Sequence, residues 1–283
     1  MATEHSIEAK ILRIGHTPDP DDAYMFYGFA SGKVTIPGYV VENVLEDIES
    51  LNKKAMRGEI EVTAISTAVY PLLQNNYWIM PTGASVGRNY GPIVVRRVGN
   101  PNPKTKKIGI PGKNTTAYLL LRMYCSAYQP VEMRFDQIPQ AVLRGEVDYG
   151  LLIHEAQLTY QSMGLEKITD LGVEWSNDTH LPIPLGLDVV RKDIGRENAL
   201  QIWKGLKDSI LAANQDKEKA VEYALRYGRG LQKNLGEKFV GMYVNEDTLE
   251  LGPEGEAALN LLFDRAYRAG IYAKPTIVDM LRP

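Results

Sequence analysis

Apolar positions along this chain follow two rhythms. Short β-branched runs at 11–15, 62–65, 107–110 and 148–153 read as strands, and each neighbours a stretch with helical spacing, at 22–31, 69–74, 116–128 and 138–144. Such alternation predicts parallel sheets flanked by helices, an α/β protein. Gly32, Gly58 and Gly145 stand where a left-handed residue would end each preceding helix. Two stretches also resemble each other, Arg57-Gly-Glu-Ile-Glu-Val-Thr-Ala-Ile-Ser66 and Arg144-Gly-Glu-Val-Asp-Tyr-Gly-Leu-Leu-Ile-His154. Each reads as a helix end, a glycine stop and a buried strand finishing in a polar residue. As equivalent units of two lobes they place Ser66 on one wall of a cleft and His154 on the other, because ligands of open α/β sheets bind beyond the carboxyl ends of strands. The alternative is two similar helix–strand units that share no site. Toward the C-terminus, Leu200, Trp203, Leu206 and Ile210, then Leu259, Leu262, Phe263, Ala266 and Tyr267 behind Pro253, recur at helical spacing and are expected to face the core.

Composition narrows the function. At 283 residues the chain exceeds one usual core, which suggests two domains. The formal net charge is -3, and its Lys and Arg residues are scattered rather than striped, so nucleic acid is not an expected partner. The single cysteine, Cys125, fits a reducing compartment and reads as a buried structural thiol in a helix. The polar start of the chain lacks the basic-then-apolar pattern of an export signal, and no apolar stretch approaches the roughly 20 residues of a membrane span, so a cytoplasmic location and no membrane partner are expected. Oligomeric state leaves no trace.

Three loops follow strands and carry candidate chemistry. In Thr17-Pro-Asp-Pro-Asp-Asp22, Asp21 or Asp22 is suited to cap the next helix. A hard-metal site from Asp19, Asp21 and Asp22 lacks a glycine-punctuated loop to complete the oxygen shell, and no metal is expected. Pro111-Gly-Lys-Asn-Thr-Thr116 lacks the first glycine and final hydroxyl of a phosphate loop, which rejects a nucleoside triphosphate. What remains there is a helix start whose amides, with the Thr115 or Thr116 hydroxyl, could hold a carboxylate or sugar hydroxyl, unless one Thr merely caps the helix. Ile153-His-Glu155 ends an apolar strand; Leu158 stands where a zinc-protease pattern needs a second His. His154 therefore reads either as a proton-transfer group, its ordinary pKa lying near neutrality, or as a buried hydrogen-bonded histidine.

Taken together, Val44-Leu-Glu-Asp-Ile-Glu-Ser-Leu-Asn52, Gly87-Arg-Asn-Tyr-Gly-Pro-Ile-Val-Val95, Pro111-Gly-Lys-Asn-Thr-Thr-Ala-Tyr118, Gly150-Leu-Leu-Ile-His-Glu155 and Leu181-Pro-Ile-Pro-Leu-Gly186 resemble, in order and spacing, the 1,4-dihydroxy-6-naphthoate synthase family of the futalosine route to menaquinone. The resemblance implies a two-lobed periplasmic-binding-protein-like fold of type II, each lobe a mainly parallel sheet flanked by helices with the ligand cleft between. It implies one lobe of residues 1–95 plus 188–283 and a smaller lobe of 96–187. It implies a lyase without cofactor that converts cyclic dehypoxanthinyl futalosine to 1,4-dihydroxy-6-naphthoate. The family's base falls on His154, and its substrate contacts fall on Ala64, Ile65 and Ser66 and on Thr115, Thr116 and Ala117. Rival functions on the same fold are a carrier of a small carboxylate and the sister chorismate dehydratase, which typically lacks the histidine. One departure stands out: the family's first loop reads Ser-Pro-Cys-Pro-Asn-Asp-Thr, and this chain has Thr17-Pro-Asp-Pro-Asp-Asp-Ala23. Two added acids would repel an anionic substrate if they face the cleft.

Overall fold

The structure, a computed structural model, describes residues 9–100, 105–229 and 232–282. A first sheet is built from β1 (Lys10–His16), β2 (Tyr39–Leu45), β3 (Val62–Ser66), β4 (Tyr77–Ile79) and β5 (Ser85–Gly87). A second is built from β6 (Ile93–Arg97), β7 (Lys107–Ile110), β8 (Gln129–Glu132), β9 (Tyr149–Leu152) and β10 (Leu165–Asp170), after which β11 (Ile183–Arg191) rejoins the first. Strand order is β2-β1-β3-β11-β4, with β5 also on β11, and β10-β6-β9-β7-β8. The parallel pairings β1–β2, β1–β3, β7–β8 and β7–β9 follow the helix–strand alternation of the sequence. β6 opposes both its neighbours and β11 opposes all of its own. These are the first strands laid down after each passage between sheets, so the chain enters each sheet against the prevailing direction.

Both sheets are covered on two faces, and side chains alternate between the covers as a pleat requires. On β11, Leu187 and Val189 join a core with Tyr70, Leu259 and Phe263, while Val190 joins Leu12, Ile14, Ile202, Leu206 and Ile210 on the other side. Of the core positions read from the two C-terminal helices, Leu206, Ile210, Leu259, Leu262, Phe263 and Ala266 are buried as expected, Leu200 and Trp203 are half-buried against the same core, and Tyr267 is 39% exposed. The Arg196–Gln215 and Pro253–Arg268 helices carry those stripes.

Gly32, Gly58 and Gly145 all have the left-handed φ that their place after a helix demands. Two helices differ from expectation. The 22–31 stretch is split into Pro20–Met25 and Tyr27–Ala30 at Phe26, whose ring stacks on His16 at 4.2 Å. The helix read over 116–128 stops at Tyr124, because Gln129–Glu132 is claimed by the parallel ladder to β7. Cys125 thus lies at a helix end, half-buried rather than buried, and burial raises its thiol pKa. No helix among the described residues is long and apolar enough to cross a membrane.

Candidate active site

β1 and β3 in one sheet and β9 in the other all end at one cavity of about 710 Å³, its mouth included. The β1 loop supplies its acidic wall. Neither Asp21 nor Asp22 caps the Pro20–Met25 helix as the sequence suggested; Asp19 occupies the N-cap position and its side chain makes no cap bond. The Asp22 carboxyl instead accepts from the Thr17 amide at 2.6 Å and the Thr17 hydroxyl at 2.8 Å, closing the loop on itself. That closure turns Asp19 toward the second sheet, where its Oδ2 lies 2.8 Å from Nδ1 of His154.

His154 stands two residues beyond β9 with φ at 53°, a left-handed conformation uncommon for a side-chain-bearing residue. Its side chain remains 16% exposed, so the ring is reachable from the cavity. The Phe135 ring packs against it at 4.8 Å. Nδ1 is committed to Asp19, and Nε2 has no protein partner among the described residues.

Burial disfavours a charged imidazole, but the Asp19 carboxylate outweighs it through charge and hydrogen bond, and the His154 pKa is raised. Burial likewise opposes ionisation of Asp19, while the imidazole holds it below the usual carboxylate range. Asp21 is driven the other way, by burial and then by the Asp19 and Asp22 charges, which raise its pKa well above the ordinary carboxyl range. Burial and the Asp19 charge raise Asp22 to about 7, against the two Thr17 bonds. All three acids face the cleft, yet burial raises the pKa of Asp21 and brings Asp22 to about 7, which eases the repulsion expected of an acidic loop. Asp19, Asp21 and His154 place donor atoms within 4.8 Å of one another, close enough to share an ion. The His154 nitrogen on that side is already bonded to Asp19; we read the trio as proton-sharing and assign it no metal.

The opposite wall contains the other residues singled out in the sequence: Ala64, Ile65 and Ser66 at the end of β3, and Thr115, Thr116 and Ala117 at the start of the Thr116–Tyr124 helix. Buried Asn52 fixes Ser66, donating to its hydroxyl at 3.1 Å and accepting from its amide at 2.8 Å. The threonine hydroxyls have structural work. Thr115 Oγ1 caps the helix by accepting from the Tyr118 amide, and Thr116 Oγ1 donates to the Leu185 carbonyl at 2.7 Å and accepts from the Ala68 amide. What this helix start offers a ligand is therefore the Thr116 and Ala117 amides, which have no acceptor one turn back. No Lys or Arg is among the lining residues, so those amides are the positive element of the wall.

Sequence reading missed Phe239, Tyr243 and Gln157, which also line the cavity. Tyr243 comes from the Lys233–Tyr243 helix, and its hydroxyl meets Gln157 Oε1 at 3.1 Å. Nothing in an amphipathic helix distinguishes a ring facing a cleft from one facing a core. Arg229, also missed, binds Glu155 at 2.8 Å and the Pro18 carbonyl at 3.2 Å, and so holds the His154 segment to the acidic loop.

A family model described as menaquinone biosynthesis matches residues 12–268. The chain belongs to the menaquinone-biosynthesis family. Within it, a Thermus thermophilus protein named 1,4-dihydroxy-6-naphtoate synthase is 37% identical over 262 residues, 93% of this chain and 96% of its own. A crystal structure of protein AF1704 from Archaeoglobus fulgidus superposes with a TM-score of 0.88 at 44% identity, covering 95% of this chain and all of that one. The alkanesulfonate-binding protein SsuA from Xanthomonas axonopodis, bound to MOPS, matches at a TM-score of 0.72 and 13% identity over 96% of this chain and 97% of its own, which shows the fold alone. The architecture is thus the two-lobed periplasmic-binding-protein-like fold, here in an enzyme family of menaquinone synthesis.

Proposed function

We propose that this protein is a carbon–carbon lyase that converts cyclic dehypoxanthinyl futalosine to 1,4-dihydroxy-6-naphthoate, with His154 as general base. One observation carries the reading: the imidazole is fixed at Nδ1 by Asp19 and presents an unpartnered Nε2 to the cleft. Nε2 removes a substrate proton, and the freed electron pair forms a new double bond as the adjacent carbon–carbon bond breaks. The pair of that bond leaves with the departing sugar remnant and is protonated by the imidazolium, and aromatisation of the product drives the step. No oxidant or cofactor enters this balance. On the far wall, Ser66 and the amides of Thr116 and Ala117 orient the substrate, and the backbone of Ala64 and Ile65 shapes the floor. We assign the cleft to the gap between lobes of 1–95 plus 188–283 and of 96–187, each contributing to both of its walls, and lobe closure excludes water and holds reacting atoms in place.

Incubation of purified protein with the cyclic substrate, followed by chromatographic detection of the dihydroxynaphthoate, tests the reading. Product formation in proportion to enzyme is expected. Turnover of chorismate compounds instead would move the protein to the dehydratase, and tight binding without turnover would make it a carrier.

A further inference from the structure

Asp19 has a place in the cleft that no capping role explains. It is 1% exposed, leaves its helix amides unserved and reaches across from the end of β1 to a residue beyond β9 in the other sheet. Its Oδ2 meets the imidazole, and the neighbouring Asp21 carboxyl is the other group that bears on it. A carboxylate can only accept; the proton at the 2.8 Å contact therefore sits on Nδ1, and a neutral ring bears its lone pair on Nε2. We propose that Asp19 is a positioning residue that sets the tautomer and orientation of His154, through a bond that joins the loop after β1 in one sheet to the loop after β9 in the other. The proposal rests on His154 being the base.

Other charged groups bear on the same ring. Glu155 and Arg229 oppose each other and are themselves paired at 2.8 Å, while Asp21 and Asp22 are the acids held toward neutrality beside Asp19. Asp19 is thus the charge that distinguishes one imidazole nitrogen from the other. Its loss frees the ring to take either tautomer, and moves the imidazole toward easier deprotonation.

The deciding measurement is nitrogen NMR of imidazole-labelled protein, with His154→Gln identifying the resonances. In the wild type, neutral His154 is expected to be protonated at Nδ1 and bare at Nε2; the opposite tautomer would overturn the proposal. In Asp19→Asn the titration midpoint of His154 falls and the tautomer preference is lost. With substrate, the same variant is expected to lose kcat about 10²-fold, the low end of what a positioned proton acceptor contributes, with KM little changed. The acidic limb of its rate profile moves to lower pH, since a base with a lower pKa stays unprotonated further down. A kcat equal to wild type, or an unmoved limb and midpoint, would refute the role. If Asp19→Asn does not fold, Asp19→Ser and the wild-type tautomer still decide. If wild type turns over nothing, the lyase reading fails while the NMR result still stands for or against Asp19.

Discussion

At His154 the backbone is held at φ 53°, a conformation that costs of order 1–3 kcal/mol and persists only where surroundings over-determine it. The surroundings here are Asp19 on one side and Phe135 on the other. Asp188 shows the same tension without a partner: it is fully buried on β11, and neither carboxyl oxygen has a hydrogen bond. Burial, reinforced by Asp22, raises its pKa well above the ordinary 3.8, so the folded protein retains a proton that the unfolded chain releases as pH rises. Stability contributed at this site therefore falls with increasing pH, by about 1.4 kcal/mol per pH unit for a full proton, until the folded group ionises. Asp188→Asn removes that dependence. Thermal unfolding should show the variant gaining on wild type between pH 5 and pH 8, whatever constant offset the amide brings; a gap that does not change with pH would contradict the assignment. Residue identity at strand ends was legible, since Ser66 and His154 interrupt apolar runs. The Asp19–His154 pair was not, because the partners lie far apart in sequence and spacing within the loop pointed to caps.

The Thr116–Tyr124 helix owes its place in the cleft to the loop before it. Gly112 there has φ 149°, and a Cβ on it would lie 2.4 Å from Oε2 of Glu49. That carboxylate accepts from the Asn114 amide at 3.1 Å and from Asn114 Nδ2 at 2.6 Å, tying the Ile48–Met56 helix of the first sheet to the second. Gly112→Ala should destabilise by about 1–3 kcal/mol through the strained backbone and raise KM by displacing the helix amides. Unfolding and steady-state kinetics check both, and an unchanged Tm with unchanged KM would show that the loop does not set the site. Strands and most helices were readable because period, glycine stops and proline starts agreed. The break at Phe26 was hidden because residues on both sides are apolar, so that only the His16 ring beneath it marks the turn.

Across the whole molecule, the two sheets meet through polar contacts around the cavity and through an apolar cluster in which Ile183, Leu262 and Ala266 pack with Val94, Ile108 and Leu151. Asp19–His154, Arg229 with Glu155 and Pro18, Tyr243–Gln157, and Glu49–Asn114 each join residues that belong to opposite sheets or to the elements covering them. Such contacts are short-ranged and exchangeable with water, as a cleft that admits substrate and then excludes solvent requires. The two-sheet plan was legible in the repeated helix–glycine–strand unit; the contacts that close it were not, because each depends on how distant loops meet. The central claim is that His154 moves the proton that opens the substrate. Single-turnover conversion of cyclic dehypoxanthinyl futalosine by wild type and by folded His154→Gln tests it most directly. A loss of about 10²–10⁴-fold in the chemical step is predicted, in line with removal of a general base; a variant that forms product at nearly the wild-type rate would contradict the account.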